Sequence, residues 1–297
     1  MVVCVVSCPT YSRSDGDRPR DHAYRTRSGF ASRAVRLPQR GRCRTDEPGG
    51  SPAGANVPCT SAQEPVVLVH NTSGNKQIGW QTLAPLLANE GRCVVSFTYG
   101  DVGGPWPNDA VGGLGPIDAA AHEMAAFVDE VLARTGAAKV DVVGHSQGTL
   151  VPSQWVQFQG GADKVDDYVS LAPLWHGTDA FGSQTPDAVR PALEAVCAAC
   201  VDMLPGSPFL ERLRNTGIFE PSIDYTNILT SHDQTVVPYT SGYAEAPNVT
   251  NIVLQDVCPS STAGHLGLLA DPAAAELVLG ALDDHSPIDS ASCGQER

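Results

Sequence analysis

Between Lys139 and Ser153 the chain reads KVDVVGHSQGTLVPS, and this stretch narrows the possible folds more than any other. The run Val140 to Val143 reads as a strand, and it ends at Gly144-His145-Ser146-Gln147-Gly148. A segment with helical potential, Gln147 to Gln159, follows directly. Strand, sharp turn and helix in that order are the repeating unit of a parallel sheet. Glycines two residues to either side of Ser146 suit a turn so tight that a side chain there would strike the adjoining strand or helix. Such a turn lifts the serine hydroxyl to the carboxyl edge of the sheet. It aims the hydroxyl at the start of the next helix, whose dipole favours developing negative charge. Ser146 is therefore the candidate nucleophile, against the plainer reading of a polar residue in a Gly-rich loop.

The same alternation runs on either side of this stretch. PVVLVH (65–70) is a short apolar run of the kind covered on both faces, and CVVSFTY (93–99) is the next. GWQTLAPLLANEG (79–91) reads as a helix ending at Gly91. PIDAAAHEMAAFVDEVLARTG (116–136) opens on a proline. It places Ile117, Ala121, Met124, Phe127 or Val128, and Val131 or Leu132 on one face. Further strands are expected at 140–143, 168–172, 228–230 and 252–254, and a last helix at 272–282. Six strands alternating with helices imply right-handed crossovers and a mainly parallel α/β sheet with helices on both faces. The stretch 174–222 is too long for a simple connection and is expected to form a small cap or lid. In it Leu174, Trp175, Phe181, Leu204, Phe209 and Leu210 either line an acyl pocket or are ordinary core.

Charge and cysteines divide the chain. Residues 1–44 hold ten of the 19 Lys+Arg and three acids, which leaves nine basic against 30 acidic residues beyond, a balance of −21. A body this acidic argues against nucleic acid or an anionic membrane surface as partner. Six cysteines lie past residue 44 (Cys59, Cys93, Cys197, Cys200, Cys258 and Cys293), an even set without zinc-type histidine spacing. They read as disulfides formed in an oxidising compartment, and Cys197-Ala-Ala-Cys200 as a local structural bridge. The Arg- and Ser-rich segment 1–44 has no periodicity. The segment suits a disordered arm or a targeting segment, but MVVCVVSC is too short an apolar run for a secretory signal, so either the start of the chain is misassigned or the segment lies outside the mature enzyme. Residues 45–58 read as a Pro/Gly linker, which sets the folded domain at 59–297.

A serine needs a base and an orienting acid to become a nucleophile, and in this kind of sheet they follow it in the order Ser, Asp or Glu, His. His265 sits in a Gly-flanked loop between the last strand and the last helix, the place for the base. His285 lies in the polar tail, and His232 directly follows a strand. Asp233, at the carboxyl end of the penultimate strand, is the candidate acid, with Asp256 as the alternative. The oxyanion would be held by the backbone N–H groups of Gln147 and Thr72, the latter in the loop after VVLVH.

Taken together, PVVLVHNT, LAPLLANEGRCVVSFTYG, GGLGPI, FVDEVLARTGAAKVDVVGHSQGTLVP, GGADKVDDYVSLAPLWHGT, CAAC, SIDYTNILTSHDQTVVPY and NVTNIVLQDVCP…GHLGLLADP resemble, in order, the class 2 lipases of actinobacteria and related esterases in the α/β-hydrolase superfamily. The resemblance covers nearly all of 59–297. It implies an α/β-hydrolase fold and a secreted serine ester hydrolase (lipase or carboxylesterase) with the triad Ser146, Asp233 and His265. It also implies the disulfides Cys59–Cys93, Cys197–Cys200 and Cys258–Cys293. The chemistry needs no metal or organic cofactor. The expected partner is a lipid or small ester substrate, met by a monomer that contacts lipid interfaces transiently. An acyltransferase with the same triad and a non-catalytic binding protein on the same scaffold are the alternatives. One position departs from the pattern: the family has His-Gly-Thr where this chain has His70-Asn71-Thr72. If that position has positive φ, Asn71 strains or tilts the oxyanion loop.

Overall fold

The computed structural model of the protein describes residues 50–101, 110–179, 189–283 and 293. Six parallel strands form one sheet: β1 (Val66–Val69), β2 (Val94–Ser96), β3 (Val140–His145), β4 (Val165–Leu171), β5 (Asp224–Leu229) and β6 (Val249–Val253). Their order across the sheet is β2-β1-β3-β4-β5-β6. The chain steps outward from β1 to β2, then crosses back to β3 on the other side of β1. The carboxyl ends of β1 and β3 therefore flank the point where the order reverses, and open parallel sheets bind ligands at that point.

Successive residues of each strand point to opposite faces, and in β1, β2 and β3 both faces are dry. Val67, Val69, Val95, Val140, Val142 and Tyr168 pack into one core with the helices α2 (Ile117–Thr135) and α3 (Leu150–Phe158). Val66, Leu68, Val94, Val169, Leu171 and Ile228 pack into a second core with α1 (Leu83–Asn89) and the C-terminal helix (Pro272–Leu282). Each aliphatic side chain so buried is worth about 1.5–3 kcal/mol relative to exposure, which is why strands this short hold together. In α2 the buried stripe is Ile117, Ala120, Ala121, Met124, Val128 and Val131. Gly136 ends it with φ 74°, its N–H bonded to the Leu132 carbonyl.

Three strands begin earlier than their apolar runs. β4 starts at Val165 rather than at 168, β5 at Asp224 rather than 228, and β6 at Val249 rather than 252. Asp166 and Asp167 are half-buried and Asp224 and Thr250 are exposed, so the added strand starts carry polar residues that meet water. Hydrophobic patterning does not register such entries.

The stretch read as a linker is in part structural. From Gly50 the chain packs against β2, and Ala55, 3% exposed, pairs with Val94 in parallel fashion. The Asn56 amide donates to the Ser96 carbonyl at 2.7 Å, and its Oδ1 accepts the Ser96 N–H at 3.1 Å. The described body thus takes in residues ahead of Cys59, with Ala55 and Asn56 paired to β2. The physical reason is that an open edge strand leaves donors and acceptors unpaired, and this segment covers them.

The insertion after β4 carries α4 (Arg190–Val196), α5 (Ala198–Asp202) and α6 (Pro208–Thr216). Leu174, Trp175, Phe209 and Leu210 are buried in the α2–α3 core, and Leu204 is buried as well, which makes all five core side chains. Phe181 lies outside the described residues, as do His285 and residues 1–49. The insertion is fastened to the body: Asp202 accepts the Ile117 N–H at the start of α2 at 3.0 Å. Cysteine pairs link Cys59–Cys93, Cys197–Cys200 and Cys258–Cys293. The first ties the approach to β1 to the start of β2, the second joins α4 to α5, and the third holds residue 293 against the loop after β6.

Candidate active site

Ser146 leaves β3 with φ 57°, in the left-handed region that costs a non-glycine residue free energy. Close packing holds it there. A Cβ on Gly144 would stand 2.2 Å from the Gly148 carbonyl oxygen, and one on Gly148 would stand 2.1 Å from the Val69 carbonyl oxygen. Neither contact can be relieved without moving backbone. The turn Ser146–Thr149 then leads into α3, and the Thr149 hydroxyl donates to the Ser146 carbonyl at 2.7 Å.

His265 and Asp233 come from the loops after β6 and β5, as their positions in the sequence suggested. His265 Nδ1 lies 2.8 Å from Asp233 Oδ2, and both side chains are almost fully buried. The other carboxylate oxygen, Oδ1, accepts the Thr235 and Val236 N–H groups at 2.8 and 2.7 Å. Three donors converge on this acid, which aims Nε2 of the imidazole away from it. Asp256 is exposed. The hydrogen bonds that anchor His265 run to Asp233 and His145 rather than to Ser146 Oγ. Contacts between nucleophile and base commonly tighten only around bound substrate.

The loop after β1 faces the elbow. The Thr72 hydroxyl donates to Gln147 Oε1 at 2.6 Å, which joins the two residues expected to hold the oxyanion. Among the described residues the Thr72 N–H donates to no backbone carbonyl. The loop is a tight turn in which the Gly74 N–H reaches the Asn71 carbonyl at 3.0 Å. Its left-handed residue is Ser73 (φ 59°), not Asn71. Asn71 thus carries no backbone strain, and its amide folds back to donate to the Thr72 carbonyl at 3.0 Å. The expected damage to the loop, which assumed positive φ at residue 71, loses its premise. So does the non-catalytic reading that rested on Asn71.

Two histidines proved more important than the sequence suggested. His70 is buried, stacks on Tyr99 with ring centroids 4.0 Å apart, and accepts the Tyr99 N–H at Nε2. Its Nδ1 therefore carries the proton donated to the Asn71 carbonyl at 2.8 Å. Desolvation lowers its pKa to about 4, so it stays neutral and fixes the oxyanion loop. His145, inside the elbow itself, is wholly buried and 3.0 Å from the His265 carbonyl. Its place in the G-x-S-x-G stretch was the one sequence signal for His145, and His70 had none beyond its position after β1.

A profile of the family "Lipase (class 2)" matches residues 63–275. Among solved structures, lipase B of Aspergillus fumigatus superposes with a TM-score of 0.67 at 21% identity, covering 82% of this chain and 60% of that one. The chain therefore spans about three-fifths of the length of that protein. The mature form of Bacillus licheniformis lipase BlEst2 gives 0.57 at 15% identity, over 78% and 99% of the two chains. A monoacylglycerol lipase of Paleococcus ferrophilus gives 0.53 at 17% identity, over 75% and 97%. At these identities the structural likeness is one of fold.

Proposed function

The chain belongs to the class 2 lipase family, and from that premise we propose that it is a serine ester hydrolase acting on acylglycerols or other lipid esters. The observation that carries the reading is the buried Asp233–His265 pair at 2.8 Å, set beside a serine held left-handed on its turn. Ser146 Oγ attacks the ester carbonyl while His265 Nε2 takes its proton. Asp233 holds the imidazole in the required tautomer and stabilises the imidazolium. The Thr72 and Gln147 N–H groups receive the oxyanion as the carbonyl becomes tetrahedral. Collapse of that intermediate expels the alcohol, protonated by His265, and leaves an acyl-enzyme. A water activated by the same imidazole then releases the carboxylic acid.

Three disulfides among the described residues support secretion into an oxidising setting. Among the described residues no helix is long and apolar enough to cross a membrane. Hydrolysis of p-nitrophenyl esters from acetate to palmitate tests the reading. The parent enzyme turns over part of the series and Ser146→Ala, folded by circular dichroism, turns over none. Equal rates for the two proteins would remove Ser146 from the chemistry.

A further inference from the structure

We propose that His145, the residue between Gly144 and Ser146, is a positioning residue that holds the base in register with the nucleophile through a hydrogen bond from its ring to the His265 backbone carbonyl. The proposal rests on the serine-hydrolase reading above. His145 Nε2 and the His265 oxygen are 3.0 Å apart, and a carbonyl only accepts, so Nε2 carries the proton. Among the described residues Nδ1 has no hydrogen-bond partner, so the carbonyl bond alone sets the tautomer. The two imidazole rings lie 4.7 Å apart, tilted by 46°.

Asp233 governs how the His265 ring is turned, but it says nothing about where the loop that bears the ring sits relative to Ser146. Two donors settle that. The Thr230 hydroxyl, at the end of β5, holds the Ala263 carbonyl at 2.5 Å, and His145 holds the carbonyl two residues on. His145 is covalently joined to Ser146, so its bond ties the base directly to the elbow. A drift of the loop by about 1 Å would be enough to lower the rate by orders of magnitude. The ring also stays uncharged: burial, and next the charge of His265, lower the pKa of His145 to about 3. A cation beside His265 would oppose the imidazolium that forms there when Ser146 gives up its proton.

The experiment compares the parent with His145→Phe, which keeps the ring volume and removes the donor, and His145→Gln, whose amide N–H can reach the same carbonyl. With p-nitrophenyl butyrate, His145→Phe is expected to lower kcat about tenfold to thirtyfold, with KM unchanged within about twofold. His145→Gln recovers kcat to within about threefold of the parent. The rate of Ser146 labelling by a fluorophosphonate follows kcat. A folded His145→Phe with parental kcat overturns the role of His145, and so does a His145→Gln as impaired as His145→Phe. Ring-nitrogen NMR shifts of the parent add a readout that needs no variant to fold: a proton on Nε2 is expected, and one on Nδ1 overturns the proposal. A parent enzyme that neither hydrolyses esters nor labels at Ser146 overturns the hydrolase reading and this role with it.

Discussion

Asp233→Asn separates orientation of the base from its mere presence. The carboxylate accepts two backbone N–H groups on Oδ1, from Thr235 and Val236, and faces His265 Nδ1 with Oδ2. An asparagine must decide which end faces which. Turning its NH2 toward the two backbone donors would lose two hydrogen bonds and leave the N–H of buried Val236 unpaired, at about 1–3 kcal/mol. Its oxygen therefore stays on the backbone and its NH2 faces His265. That NH2 can only donate, so His265 Nδ1 must become the acceptor and the ring proton moves to Nε2. The base then meets the Ser146 hydroxyl with a hydrogen where it needs a lone pair. Loss of the correct tautomer in a triad costs about a thousandfold to ten-thousandfold in kcat, or about 4–5.5 kcal/mol of barrier. The assay is kcat and KM on p-nitrophenyl butyrate, with thermal melting to show that the isosteric change leaves the fold intact. The reasoning is refuted by a folded Asp233→Asn enzyme that keeps more than a tenth of parental kcat.

Other perturbations test the frame around this pair. Gly148→Ala forces a Cβ to within 2.1 Å of the Val69 carbonyl oxygen, at the end of a central strand. It should lower stability by about 3 kcal/mol and the melting temperature by roughly 6–12 °C, and an unchanged melting curve would contradict the packing account. Asn56→Ala removes the two bonds to the Ser96 backbone at the edge of β2 and should cost at least about 2 kcal/mol in urea unfolding. A loss below about 0.5 kcal/mol would return residues 50–58 to the status of a linker. His145 binds a proton in the unfolded chain near pH 6.5 but in the folded protein only near 3, so its contribution to stability is lost as pH falls through that window. Asp141 works the other way, because burial and the Asp167 carboxylate raise its pKa to about 7 against the pull of Arg92. The comparison is therefore between parent and His145→Gln: their stability difference should move in favour of the variant by about 3 kcal/mol between pH 7 and pH 4. A pH-independent difference would show that His145 is not held neutral by burial.

The legible parts of this chain were those written in local chemistry. Gly144 and Gly148 announce a turn without room for side chains, and Val66–Val69 and Val140–Val143 announce strands dry on both faces. Asp233 and His265 could be chosen because their loops follow successive strands, and parallel strands deliver their carboxyl ends to one edge of the sheet. What escaped was set by partners far along the chain. Asn56 looks like part of a Pro/Gly connector until Ser96, 40 residues later, meets its amide. Nothing near His145 in the sequence points to the His265 carbonyl, 120 residues on, that accepts its hydrogen bond. Asn71 stood out because a glycine was expected there, but the left-handed residue of that turn is Ser73, and only the backbone reveals this.

The central claim is that Ser146, activated by His265, becomes acylated during turnover. A fluorophosphonate phosphonylates the same activated hydroxyl, so intact mass spectrometry after treatment, followed by peptide mapping, tests the identity of the nucleophile. The account predicts a single adduct on the peptide containing Ser146, lost in Ser146→Ala and formed at least about a hundredfold more slowly in Asp233→Asn. An adduct on a different serine, or an unmodified protein that still hydrolyses esters, would contradict it.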